Sequence, residues 1–191
     1  MKVLQDERFL WFINRGTGVV LLGLLTASVI LGVLATVRTT SNRWPRFVTQ
    51  ALHRNISLLA LALLAAHAGV AIIDDYVDIR LIDAFVPFGM GYRPFWGSLG
   101  TLASDLLLLA AATSVARHRL SHRSWRAIHQ TSYLAWVLGL IHGLGIGTDQ
   151  RETWSVVLTA TCVGLVAGAG ALRLTAVLQE RKLEKLEKVS V

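Results

Sequence analysis

The chain is short of what a soluble domain is made from. Only 16% of its 191 residues are charged, against roughly a quarter in soluble globular proteins. A single cysteine, Cys162, excludes an intrachain disulfide and any site built from several thiolates. It sits in an apolar run and reads as a small packing residue. Three prolines and no low-complexity stretch leave no marked linker, and no internal repeat stands out. The first apolar run is longer than the apolar region of a signal peptide. TVRTTSNRWPR follows it, with no small-residue cleavage site, so it reads as a span and not a leader.

What fills the chain is hydrophobic surface: 53% of the residues and a mean hydropathy of +0.53. Apolar runs of about 20 residues recur, each long enough to cross a hydrocarbon core of about 30 Å as a helix. Five spans can be drawn, at 17–37, 47–73, 98–116, 125–146 and 154–178, with a short interfacial segment around Trp11 and Phe12 ahead of the first. Trp44-Pro45 precedes the second, and proline is tolerated in a helix's first turn. Trp11, Trp44, Trp96, Trp125 and Trp154 fall at span edges, as an aromatic belt requires. The expected fold is an all-α integral membrane bundle of five helices over 1–180, with a charged tail at 181–191.

Five spans place the basic residues unequally. Arg38, Arg43, Arg46, Arg54, Arg117, Arg119, Arg123, Arg126, Arg173, Arg181, Lys182, Lys185 and Lys188 share one side. Lys2, Arg8, Arg15, Arg80, Arg93 and Arg151 share the other, and thirteen with six makes up the nineteen of the composition. The bias predicts an N-terminus outside and a C-terminus in the cytoplasm of a bacterial plasma membrane. The 74–97 loop, with Asp74, Asp75, Asp78 and Asp83, is then external. Topology accounts for the net charge of +7, and nucleic acid is not an expected partner.

Six histidines remain. His118 and His122 lie in the basic loop ARHRLSHRSW and read as solvated. His53 and His67 lie fourteen residues apart in the second span, His129 and His142 thirteen apart in the fourth. At 1.5 Å per residue these are separations of about 20 Å. The second and fourth spans run parallel, so His53 shares a depth with His129, and His67 with His142. Two depth-matched imidazole pairs are what two haem irons with two axial histidines each require. A proton or metal-ion transporter and plain packing are the alternatives, and zinc would want three or four ligands at one point. One feature fits less neatly. At about 100° per residue His67 returns near His53's face, whereas His142 points about 140° away from His129. Either the fourth span is distorted, with Gly139, Gly143, Gly145 and Gly147 permitting it, or the two layers meet it on different sides.

LHRNISLLALALLAAHAGV, WRAIHQTSYLAW and LIHGLGIGTD, with YRPFW before the middle span, resemble the ferric reductase-like transmembrane domain. That family includes ferric reductases and NADPH oxidases and is related to the haem-binding subunit of the methionine sulfoxide reductase system. The resemblance covers roughly residues 10–178. It implies a helical bundle holding two b-type haems, His53 with His129 and His67 with His142; family members often have six spans, where five are counted here. It also implies electron transfer across the membrane to an outer acceptor: ferric iron, oxygen, a quinone or a partner protein. The chain ends in QERKLEKLEKVSV with no flavin or nicotinamide domain after the fifth span. The expected donor is therefore a separate flavoprotein reductase, a quinol, or a domain outside this sequence. Arg54 and Arg126, each within three residues of a proposed ligand, are candidates for bidentate pairing with haem propionates, or ordinary basic residues at a cytoplasmic edge. Tyr92, Arg93 and Arg151 are the matching candidates at the outer end. Asp105, the acid inside a span, reads as a proton path or a structural carboxyl. Gly164 and Gly168 allow close helix packing within or between protomers. Glu184 and Lys188 make a favourable helical pair in the tail.

Overall fold

A computed structural model describes residues 7–36, 45–74 and 79–189. Lys2, Arg38, Arg43, Trp44, Asp75 and Asp78 lie outside these, as do the side chains of Arg8, Glu184, Lys185 and Lys188. The described residues form five α-helices and two short 3₁₀ turns, with no strand among them: α1 (Glu7–Leu34), α2 (Arg46–Ile73), α3 (Pro94–Val115), α4 (His122–Ile146) and α5 (Thr153–Val189).

The helix ends follow local chemistry. Pro45 occupies the N-cap of α2, where its fixed φ and missing N–H cost nothing. Pro94 opens α3 from the first turn, four residues ahead of the expected span. Ser121 caps α4 by accepting from the Ser124 N–H at 3.1 Å. The segment holding Trp11 and Phe12 belongs to α1 itself, which starts ten residues before the expected span. One of its polar members is engaged from elsewhere in the fold. Arg15 forms an ion pair with Asp149 in the α4–α5 connection and lies over the rings of Trp11 and Trp154. At the other end α5 continues as one helix through the charged tail to Val189.

Among the described residues, four helices are long and apolar enough to cross a membrane, within α1, α2, α3 and α5. α4 is not among them because His122, Arg123, Arg126, His129 and Gln130 crowd its first half. It nevertheless meets α2 through His129 and His53 near one end of that helix and through His142 and His67 near the other. It therefore traverses the same thickness. The chain is an integral membrane protein built as a helical bundle.

Packing divides the bundle into an α1/α2 pair and an α3/α4 pair, joined where α1 also meets α4 and α5. The core lies at that junction: Val29, Trp136 and Cys162, surrounded by Leu22, Leu25, Tyr133, Leu140 and Val166. The Trp136 indole N–H donates to Thr26 Oγ1 at 3.0 Å, so the largest buried ring leaves no orphaned donor. Cys162 is buried, free and part of this core, the packing role read from its neighbours. Helices α2 and α4, by contrast, are not packed along one another.

The 79–93 connection folds over the end of the bundle near His67 and His142. Its anchor is Asp83, buried beneath the 3₁₀ turn Leu81–Ala84 and held by the Arg80 guanidinium at 2.9 and 3.1 Å. Thr101 of α3 donates to the Asp83 carbonyl at 2.9 Å, tying the turn to the helix beneath it. Phe88 and Arg93 hold positive φ angles of 68° and 42°, each costing about 1–3 kcal/mol. Two contacts help to fix them. The Phe88 N–H donates to Ser98 Oγ at 2.6 Å, and the Arg93 guanidinium to the Gly145 carbonyl at 2.8 Å.

Candidate metal-ligating site

The four intramembrane histidines meet in two layers. The His53 and His129 ring centres are 6.0 Å apart with planes at 76°, and the His67 and His142 centres 6.5 Å apart at 89°. Two metal–nitrogen bonds of about 2.0–2.1 Å, plus about 1.2 Å from each ring centre to its nitrogen, require about 6.4 Å. Both layers stand near the separation that one metal ion between two imidazoles demands. α4 achieves this as an uninterrupted helix, so the thirteen-residue spacing is accommodated without a break.

The other ring nitrogen of three of the four imidazoles is engaged by a backbone carbonyl. His53 Nδ1 lies 2.9 Å from the Ser28 oxygen, His67 Nδ1 3.0 Å from that of Asn14, and His142 Nδ1 2.8 Å from that of Trp96. A carbonyl can only accept, so each Nδ1 carries the proton and each Nε2 keeps its lone pair. This is how metal-ligating histidines are held elsewhere: the outward hydrogen bond fixes tautomer and ring orientation and raises ligand basicity. Trp125 stacks on the fourth ring, His129, at 5.2 Å and 22°.

Glycines make room for these rings, a feature the histidine pattern alone did not disclose. A Cβ on Gly18 would stand 3.2 Å from the His67 ring, one on Gly32 3.3 Å from His53, and one on Gly100 2.7 Å from His142. Each glycine lies four residues after the carbonyl that accepts from the same ring: Asn14 and Gly18, Ser28 and Gly32, Trp96 and Gly100. The pairs on α1 repeat at the fourteen-residue interval that separates His53 from His67. That recurrence, on the helix antiparallel to α2, was the available signal.

The remaining residues singled out in the sequence divide. Arg54 and Arg126 are exposed, one residue after His53 and three before His129, and no ion pair among the described residues engages either. Arg93 lies 5.8 Å from the Tyr92 ring centre and Arg151 is exposed. His118 and His122 are exposed, as expected, although His122 is the first residue of α4 and not a loop residue. Asp105 is half-buried on α3. Gly164 and Gly168 are exposed on α5 with nothing within 4 Å of a Cβ at either, so neither serves packing inside this bundle. Of the α4 glycines, Gly145 receives the Trp96 indole and Gly147 caps the helix, while a Cβ on Gly139 or Gly143 would meet nothing within 4 Å. Asn14 Oδ1, on the residue whose carbonyl accepts from His67, is buried without a hydrogen-bond partner among the described residues.

These features fit a flat bis-imidazole metal cofactor. Helices α2 and α4 are not packed along one another, and the Nε2 lone pairs of His53, His67 and His142 are left free. Among the described residues no three His, Cys, Asp or Glu side chains converge, as a zinc-type ion site would require. A family model described as ferric reductase like transmembrane component matches residues 17–140, which hold three of the four histidines and stop two residues short of His142. No curated protein and no solved structure matches the chain.

Proposed function

Because the chain belongs to the ferric reductase-like transmembrane family, we propose that it is the haem-bearing membrane component of an oxidoreductase, carrying electrons singly across the bilayer. His53 with His129 would hold one b-type haem and His67 with His142 a second. Bound haem supplies a one-electron iron couple at each layer. The observation that carries this reading is the pair of imidazole gaps, 6.0 and 6.5 Å, stacked along two parallel helices.

The protein's own contribution is position and environment. The carbonyls of Ser28, Asn14 and Trp96 hold the Nδ1 protons of His53, His67 and His142, which leaves Nε2 of those three rings available for ligation. The fourteen-residue spacing of His53 and His67 sets the layers about 21 Å apart along α2. Arg54 and Arg126 stand at the His53 end to pair with propionates, and Arg93, Tyr92 and Arg151 at the other. Arg46, Arg54, Arg117, Arg119, Arg123 and Arg126 are all exposed at the His53 end. That end is assigned to the cytoplasm, where a flavoprotein reductase or a quinol delivers electrons. The acceptor meets the opposite face, beneath the 79–93 connection.

The test is electron transfer across proteoliposomes. Dithionite outside and ferricyanide trapped inside report the rate, with His53→Ala and His67→Ala as comparisons. Ferricyanide reduction that needs both histidines is expected. Equal rates in both variants and the parent would overturn the reading. Proton or divalent-metal flux through haem-free protein would favour the transporter instead.

A further inference from the structure

The four imidazoles are not held alike, and the odd one identifies a residue with a role of its own. α3 supports two of them. At the His142 level the Trp96 carbonyl accepts from Nδ1 at 2.8 Å, and Gly100, four residues later, lets the ring lie against the backbone. Fourteen residues further along α3 the same two positions fall on Ala110 and Ser114. Here the glycine is replaced. The Ser114 hydroxyl donates to the Ala110 carbonyl at 2.7 Å, taking the oxygen that the glycine pattern would leave for histidine. His129 Nδ1 reaches only the hydroxyl, at 3.4 Å. The Trp125 indole N–H points at the same oxygen, also at 3.4 Å, so two donors share one weak acceptor.

Resting on the haem reading above, we propose that Ser114 is a positioning residue that makes His129 the weakest-donating of the four ligands. It thereby sets the haem of the His53/His129 layer at a higher potential than its imidazole pair would otherwise give. An Nδ1 proton drawn strongly to a carbonyl makes Nε2 a better electron donor, which stabilises ferric iron and lowers the potential. His53, His67 and His142 receive that treatment at 2.9, 3.0 and 2.8 Å. His129 does not.

The experiment is a redox titration of the purified, haem-loaded protein followed optically, comparing the parent with Ser114→Gly and Ser114→Ala. Glycine restores the pattern of the other three sites and removes the 2.7 Å donor from the Ala110 carbonyl, leaving there only Thr113 Oγ1 at 3.2 Å, whose shorter bond is to Leu109 at 2.8 Å, so His129 gains the carbonyl and one of two Nernst components shifts to lower potential. Alanine removes the hydroxyl while its Cβ keeps the ring from the carbonyl, so the same component shifts upward. The other component stays in place in both. A purely structural serine would move both variants in one direction or neither, and either result overturns the proposal. Loss of haem from Ser114→Gly overturns it too, since that variant should hold His129 more firmly. A parent protein with no haem defeats the reading beneath it. Two haems with potentials indifferent to both substitutions defeat this inference alone.

Discussion

Gly100→Ala is the substitution whose effect the geometry fixes most tightly. A methyl group there would lie 2.7 Å from both Cε1 and Nδ1 of His142, whereas non-bonded carbon contacts settle near 3.5–4.0 Å. The ring must retreat by about 0.8 Å. The backbone contributes in the opposite sense, since alanine is favoured over glycine in a helix by about 0.8–1.0 kcal/mol. Breaking the 2.8 Å bond to the Trp96 carbonyl leaves a half-buried donor unsatisfied, at up to about 1–3 kcal/mol. The fold therefore loses little, but the site loses its geometry. Metal–nitrogen bonds hold to about ±0.2 Å, so a shift of about 0.8 Å in either direction takes the 6.5 Å gap outside what one iron can span. The expected result is a folded protein with one haem per chain. Gly18→Ala and Gly32→Ala provide the control. Their methyl groups would stand at 3.2 and 3.3 Å, requiring shifts of about 0.2–0.3 Å to reach ordinary contact, and both variants should keep two haems. Haem content by pyridine haemochrome, with thermal melting for the fold, separates the cases. Two haems in Gly100→Ala with an unchanged spectrum would refute the reasoning.

Other outcomes follow from the connections. The Arg80 guanidinium beside Asp83 holds its carboxyl below the ordinary carboxylate range. A depressed carboxylate stabilises the fold at pH above its unfolded value, about 3.9, and that contribution fades as pH falls through the lower folded value. Asp83→Asn should therefore lower the protection of residues 79–93 against hydrogen exchange by a constant amount from pH 7 to 5. The difference should shrink below about pH 4, and a difference that persists unchanged to lower pH would contradict the assignment. The Arg15–Asp149 pair, about one quarter exposed on each side chain, should show a coupling of about 0.2–1 kcal/mol in a double-mutant cycle. A much larger coupling would mean that the α1 start, and not the core, anchors α4 to α1.

How much of this was legible in the sequence depends on whether a feature repeats along one helix or arises between two. The spans could be read because each is a run of apolar residues, and α2 ends at Ile73 where expected. The four histidines could be read because rare residue types recur at intervals that topology turns into shared depth, and the structure brings them together in the expected pairs. The early start of α1 could not. Asn14 and Arg15 look like the end of an apolar segment, and only Asp149, more than 130 residues away, and the His67 ring show why a helix keeps them. The glycine register was equally hidden. Gly18, Gly32 and Gly100 are ordinary in an apolar helix until α1 and α3 are laid against their histidines. Ser114 is more opaque still, because its meaning lies in being absent from a pattern visible only in three dimensions. For α4 the polar residues of its first half, His129 among them, lower the apolarity that marks a span, so a helix that carries two of the four histidines gives the weakest membrane signal.

The most direct test of the central claim is a dithionite-reduced minus oxidised optical spectrum of the purified protein, with haem counted per chain. The two imidazole layers predict a low-spin b-type spectrum and two haems. A single haem would mean that one of the two gaps, 6.0 or 6.5 Å, is not a ligand pair. Protein produced with haem available that carries none would contradict the account.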